Sequence, residues 1–323
     1  MAEWLVEEGI AEHRAIRLDG DVITEARVQW PGELSAGAVA DAVLVSRSRG
    51  ASRGTVRFPS GEEALIDRLP ASAAEGATIR VEVTRPALSE SGRSKRARVR
   101  LSTLPTSNPT LVEQLRAQGH DARIVHRFAG SDWDELVAEA FAAEVTFAGG
   151  ALQFSPTPAM LLVDVDGTLA PRALALSAAP VLAASLRRFD CGGSIGVDFP
   201  TLSAKADRKA VDEVLASLLS DWSHERTAMN GFGFVQIVSR LERPSLLYRA
   251  TFKRAAMAAR LLFRRAEALE GAGAILLTGN PSLEAELTPD LLSQLARRTG
   301  REIRWEARTG LAIEAPQAQL VPL

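Results

Sequence analysis

Two stretches of this chain run from a block of apolar residues straight into aspartate: Leu161-Leu162-Val163-Asp164-Val165-Asp166-Gly167-Thr168 and Ile195-Gly196-Val197-Asp198-Phe199-Pro200. Short apolar runs of this kind read as buried strands. Helices are expected between and after them, over 177–189 and 203–222, with a further strand over 233–241. Alternating strands and helices are the pattern of a doubly wound sheet, where ligands sit at the carboxyl ends of neighbouring strands. Asp164 and Asp198 are therefore expected to face each other there. Two hard carboxylates with open coordination positions suit Mg²⁺ or Mn²⁺, which keep several waters and take further ligands from phosphate. Such an ion can activate water and stabilise charge on a phosphodiester. An aspartate just past a strand is also a common turn or cap residue, so the repetition on neighbouring strands is what singles out the pair.

The chain ahead of this unit reads as sheet. Arg14 to Gln29 alternates apolar and polar residues around Asp19-Gly20, a hairpin signal. Five short strand-like runs follow, over 42–46, 55–58, 63–67, 78–84 and 97–101, separated by Gly, Pro and Ser, and they predict a small barrel of the OB type. Leu104 to Pro109 reads as a linker, and a helix over 110–118 is stopped by Gly119. Ser131 and Asp134 form a capping box ahead of a helix whose Trp133, Leu136, Val137, Ala140 and Phe141 fall at helical spacing and belong to a core. A second hairpin is expected around Gly149-Gly150. After Pro244 the pattern predicts a long helix to about Glu270, a strand over 274–278, a helix from Pro289 to Arg298 between Thr288 and Gly300, and a hairpin around Thr309-Gly310.

The 323 residues, 46% hydrophobic and 24% charged, are enough for two or three packed domains. The acidic start, Met1-Ala2-Glu3-Trp4-Leu5-Val6-Glu7-Glu8, lacks the basic and apolar parts of a secretory signal, so a cytoplasmic location is expected. No window approaches the roughly 18 to 20 apolar residues of a spanning helix, so no membrane partner is expected. Cys191 is the single cysteine, which rules out an internal disulfide, and no zinc-ligand spacing is present. A net charge of -2 gives no global sign of a nucleic-acid partner. The sign is local. Arg93, Lys95, Arg96, Arg98 and Arg100 crowd one stretch, Arg47, Arg49, Arg53 and Arg57 another, and Lys253, Arg254, Arg260, Arg264 and Arg265 a third. Such clusters bind phosphates with release of counterions, although a solvated face is the plainer reading of any one alone.

Two families share these motifs. Asp164-Val165-Asp166-Gly167-Thr168-Leu169 resembles the first motif of haloacid-dehalogenase-type phosphatases, but the later strand ends Leu277-Thr278-Gly279-Asn280, without the acidic pair that family needs. Over nearly its whole length the chain resembles the ribonuclease E/G catalytic region. The opening hairpin resembles that family's first ribonuclease-H-like segment, and the strands to Leu101 its inserted OB-fold barrel. Residues 159–166, 186–199 and 231–240 resemble three successive strands of its deoxyribonuclease-I-like subdomain. The resemblance implies an α/β multidomain chain, with the first ribonuclease-H-like segment over 1–35, the barrel over 36–104 and the second ribonuclease-H-like segment over 105–158. The catalytic subdomain would then span 159–243, and a small C-terminal α/β domain 244–323.

By that resemblance Asp164 and Asp198 are the metal-binding aspartates. Asp166 stands where the family has an asparagine that orients the second, and a third acid there would raise a neighbour's pKa unless a cation neutralises it. Lys95 matches a lysine that holds RNA, and Arg226 a basic residue near the site. The barrel positions where the family stacks bases are Arg57 and Ile66 or Asp67, with Phe58 as a shifted substitute. The 5′-phosphate sensor and the Cys-Pro-x-Cys zinc link are missing, so no zinc-linked dimer is expected. The implied function is a divalent-metal-dependent endoribonuclease cutting single-stranded RNA, gripped by Arg93, Lys95, Arg96 and Arg98. The alternatives are a non-cleaving RNA-binding relative and a small-molecule phosphatase.

Overall fold

The computed structural model describes residues 3–48, 52–90, 93–128 and 132–323, with the backbone alone described for residues 89, 90, 93 and 94. The chain opens with strands β1 (Trp4–Glu8), β2 (His13–Asp19) and β3 (Val22–Gln29). β2 and β3 form the expected hairpin, and Gly20 supplies the positive φ of 59° that its turn requires.

The barrel strands are β4 (Val39–Arg47), β5 (Arg53–Arg57), β6 (Glu63–Asp67) and β7 (Thr78–Arg85), then a small hairpin of β8 (Leu88–Glu90) and β9 (Arg93–Lys95), then β10 (Ala97–Leu101). The closed order is β10-β6-β5-β4-β7, and the five expected runs match its five strands. β6 and β10 are its parallel pair. Alternation along each strand turns Leu44, Val56, Ile66, Val81 and Val83 inward, giving the barrel a core of its own.

Helix α1 (Leu111–Ala117) starts at Thr110, whose hydroxyl accepts from the Glu113 N–H while the Glu113 carboxylate accepts from the Thr110 N–H at 2.8 Å. β11 (Ala122–Val125) returns to pair in parallel with β1. Helix α2 (Trp133–Ala142) buries all five residues expected in its core face, with Asp132 in the cap position; Ser131, expected to cap it, lies outside the described residues.

β12 (Glu144–Phe147), β13 (Gly150–Pro156) and β14 (Leu161–Gly167) run as an antiparallel meander, followed by helix α3 (Pro171–Arg188), β15 (Gly193–Asp198), helix α4 (Lys205–Leu218), β16 (His224–Arg226) and β17 (Phe234–Ser239). They make one six-stranded sheet, β12-β13-β14-β15-β17-β16. This corrects the doubly wound expectation. β14 and β15 are the single parallel pair, because α3 is the crossover between them; β13 meets β14 antiparallel through a short turn, while β17 pairs antiparallel with β15 only after α4 and β16. The sheet runs through the division expected at residue 158. α3 begins at Pro171, two turns before the expected Ser177, with proline at its first position.

The remainder is helix α5 (Leu246–Phe252), helix α6 (Arg254–Glu267), β18 (Ala274–Gly279), a 3-10 turn (Pro281–Glu286), helix α7 (Pro289–Thr299), β19 (Ile303–Ala307) and β20 (Gln317–Val321). The single long helix expected after Pro244 is broken at Lys253, whose φ of -129° leaves the helical region. β18 lies between β19 and β20, so Thr309-Gly310 is not a hairpin turn. α7 carries the chain across from β18 to its parallel partner β19, and β20 takes the opposite edge. Apart from the barrel and a small cluster around Trp4 and Leu115, the buried apolar residues from Ile10 to Leu295 form one continuous core. No helix among the described residues is long and apolar enough to cross a membrane.

The third basic cluster is engaged inside this body. Lys253 Nζ reaches Glu33 at 2.8 Å, Arg254 pairs with Glu314, Arg260 with Glu286 and Arg264 with Glu7, and Arg265 donates to the Pro316 carbonyl. The guanidinium groups of Arg249 and Arg260 each lie 3.9 Å from the ring centre of buried Trp30. Burial alone would push the Glu33 carboxyl up, but Arg249 and Lys253 outweigh it and hold it below the usual range. Its stabilising effect is therefore complete above the ordinary glutamate value of about 4.3 and disappears as pH falls through the lower folded value. Glu33→Gln is expected to flatten that portion of the acid limb, seen as a smaller fall in Tm when thermal melts are compared across the acidic range.

Candidate functional site

Alternation decides what the six-stranded sheet shows to solvent. Along β14, Val163 and Val165 are buried while Leu162, Asp164 and Asp166 are exposed. β15 buries Ile195 and Val197 and exposes Asp198, and β17 buries Val235 and Ile237 and exposes Gln236 and Val238. The buried face packs under α3, which lies against β12, β13 and β14, and under Val211 and Leu215 of α4. The other face is open.

Register places the acids. In the parallel β14–β15 pair, Asp164 and Asp198 are direct partners. Their side chains leave the same face with Cβ atoms about 5 Å apart. Gln153 of β13 is the partner of Asp164 on the other side, and Phe234 of β17 is the partner of Asp198. With Glu144 opposite Gln153, one row crosses five strands: Glu144, Gln153, Asp164, Asp198, Phe234. Asp166 stands in the next row, opposite Ala151.

Electrostatics match that placement. Partial burial pushes the Asp164 carboxyl above its ordinary value, and repulsion from Asp166 and then Asp198 adds to it, with the Val165 N–H pulling the other way. None of the three aspartates is in an ion pair among the described residues. Hard oxygen donors with unneutralised mutual repulsion fit a divalent cation. No group of three His, Cys, Asp or Glu side chains among the described residues is arranged to hold a metal ion. The fit is thus for an ion held by the two facing carboxylates, with water and a phosphate completing the shell, as Mg²⁺ prefers.

The residues expected to grip RNA are scattered. Lys95 Nζ donates to the Pro158 carbonyl at 2.6 Å, bracing the β8–β9 hairpin against the loop that precedes β14. Lys95 lines a cavity with Met160, Leu161, Gly193 and Ser194, where β14 and β15 begin, whereas Asp164 lies three residues further along β14, about 10 Å, and Asp198 ends β15. The Arg93 side chain lies outside the described residues, as does Arg49. Arg57 and Arg96 both pair with Glu63, while Arg53, Arg80 and Arg100 pair with Asp67, Asp41 and Glu82. The barrel's cations are largely matched across strands by acids. Arg98 points outward from β10 and is in no ion pair among the described residues. Phe58 is 4% exposed within the barrel core and presents no ring for a base.

Arg226 is also differently placed. It is the β16 partner of buried Ile237, so it lies on the helix-covered face, where it pairs with Asp212 of α4 at 2.9 Å. Asp212 accepts as well from the Met229 N–H, so the pair fixes the loop leading to β17 and stands on the far side of the sheet from Asp198.

Two residues that no sequence motif singled out stand beside the acids: Gln153 and Phe234. The Phe234 ring lies over Gly196; a Cβ there would come within 2.6 Å of Phe234 Cζ. Leading into β17 is a tight turn, Asn230 to Gly233, where Gly233 has φ of 96° and a Cβ would collide with the Phe199 carbonyl oxygen. Gly233→Ala is expected to lower stability by more than about 1 kcal/mol, measured by urea unfolding. No family model matches this sequence, and no curated protein matches it.

Proposed function

We propose that this chain is a divalent-metal-dependent endoribonuclease that cuts single-stranded RNA. The observation that carries the reading is the register of Asp164 with Asp198 on an open sheet face, with neither in an ion pair among the described residues. Supporting it, the chain resembles the ribonuclease E/G catalytic region in the order of its segments, and the closed five-strand barrel is of the size of an OB fold. The bound ion would supply Lewis acidity toward the phosphodiester and lower the pKa of an attacking water. Asp164 and Asp198 would hold that ion. Gln153, next in the row, is placed to hydrogen-bond a phosphate oxygen or a ribose hydroxyl. The open face leaves room for an extended strand to lie across the row.

Two observations weigh against the phosphatase reading. Asp164 to Gly167 are ladder residues paired with Gly150 to Gln153, not a loop beyond a strand, and β18 belongs to a separate sheet. A non-cleaving RNA-binding relative is the second reading, favoured by the lack of a three-ligand group among the described residues.

The test is direct. Purified protein is incubated with labelled single-stranded RNA, with and without Mg²⁺, and separately with a generic phosphomonoester. Metal-dependent internal cuts and no monoester turnover are expected. RNA that binds but stays intact at all metal concentrations would sink the nuclease reading and leave the second.

A further inference from the structure

Phe232 is 80% exposed, more than any other large apolar side chain described except the C-terminal Leu323. A phenyl ring left in water forfeits the burial free energy that core phenylalanines gain. The turn that holds it out is well tied. The Asn230 side-chain oxygen accepts from the Phe232 N–H at 2.8 Å and from the Phe234 N–H at 3.1 Å. Thr201 Oγ1 donates to the Phe232 carbonyl at 3.2 Å, and the Phe199 N–H donates to the Gly233 carbonyl at 3.2 Å. The turn is therefore stitched to the residues that directly follow Asp198. At its exit, Phe234 is the register partner of Asp198, and Gly196 makes the room its ring needs along the sheet.

We propose that Phe232 and Phe234 form a stacking platform for an unpaired nucleobase of the RNA whose phosphate lies over Asp164 and Asp198. This rests on the nuclease reading and names the substrate feature it selects. Every base has a π-face, so stacking on aromatic rings is tolerant of sequence. In a duplex those faces are already stacked, and only a single strand, loop or bulge can offer one. The platform also answers a shortfall in the barrel, where Phe58 is buried. Base contact moves from the barrel to the edge of the acidic row, where a stacked base fixes the adjoining phosphate at the carboxylates.

The probe is a single-stranded RNA 10-mer carrying one 2-aminopurine, whose fluorescence falls when it stacks. Binding is measured in Mg²⁺ with Asp164→Asn protein, which leaves the RNA uncut, and cleavage of the same RNA is followed with the native chain. Phe232→Ala should weaken single-strand affinity about 10-fold, the size of one base–aromatic stack, and abolish the quench. Phe232→Trp should restore both, and affinity for the annealed duplex should not change. Phe234→Leu, which keeps apolar bulk over Gly196, should act in the same direction, with thermal melting confirming the fold. If the native chain cuts RNA and Phe232→Ala keeps full affinity and quench, the platform is wrong and the nuclease reading survives. Quench that depends on Phe232 without cutting by the native chain would support the platform and end the nuclease reading. No binding at all would overturn both.

Discussion

Asp198→Asn is expected to lower the rate of magnesium-dependent RNA cleavage by about 10²- to 10³-fold, the usual effect of removing one charge-stabilising group from a reaction centre, while leaving RNA affinity nearly intact. The asparagine is isosteric, and Asp198 sits at an exposed strand end, so the fold should not respond. What changes is charge. With one of two facing carboxylates neutral, the row loses half of its anionic pair and an ion is held more loosely. Excess Mg²⁺ should therefore recover some of the rate. Asp166→Asn provides the contrast, because Asp166 stands one row away from the facing pair and its substitution relieves repulsion on Asp164. Single-turnover cleavage across a magnesium titration distinguishes them: a high, partly rescuable metal requirement for Asp198→Asn and a mild effect for Asp166→Asn. Equal loss in the two variants would mean that the ion is not centred on the Asp164–Asp198 pair.

The second large effect is on stability. Glu7 is 4% exposed, yet its carboxylate serves Arg14 at 2.9 Å, Arg264 at 2.6 Å and the Phe128 N–H at 3.1 Å. Arg14 is itself buried between Phe128 and Trp133, at 4.7 and 4.8 Å from their ring centres. Burial pulls the Arg14 guanidinium down from its ordinary value, with neighbouring Arg264 adding to it. Glu7→Ala removes the carboxylate that both cations pair with, and an uncompensated buried charge costs about 3 to 5 kcal/mol. Urea unfolding should show that loss as a fall in midpoint at unchanged slope. Replacing the trio together with apolar residues of similar volume should recover much of it, since buried ion pairs and apolar packing are often close in free energy. If Glu7→Ala costs under about 1 kcal/mol, the cluster is hydrated and not a closed network.

The barrel and the acidic pair were legible in the sequence for the same reason. Each barrel run alternates and is bounded by turn residues, and the aspartates end apolar runs, so period and punctuation suffice. Partner and register are not written in any single segment. The run around β14 gives no sign that its neighbour is the β12–β13 hairpin, so the mixed sheet and the place of Gln153 and Phe234 stayed hidden. The Thr309-Gly310 turn misled because β18 takes the position between β19 and β20. Parity carried the answer in two further cases. With Arg57 pointing outward, Phe58 turns inward, and with Glu225 exposed on β16, Arg226 falls on the helix-covered face.

The barrel's seating bears on how the chain finds its fold. Val39 and Ser107 exchange two backbone hydrogen bonds, at 2.8 and 2.9 Å, so the barrel's entry and exit are clasped together. β1 must meet β11, a partner more than a hundred residues away in sequence. The entropy of closing such a loop grows with its free length. Once the barrel has formed, the intervening chain behaves as a short tether, and the first sheet can close as though its two halves had been neighbours in the sequence.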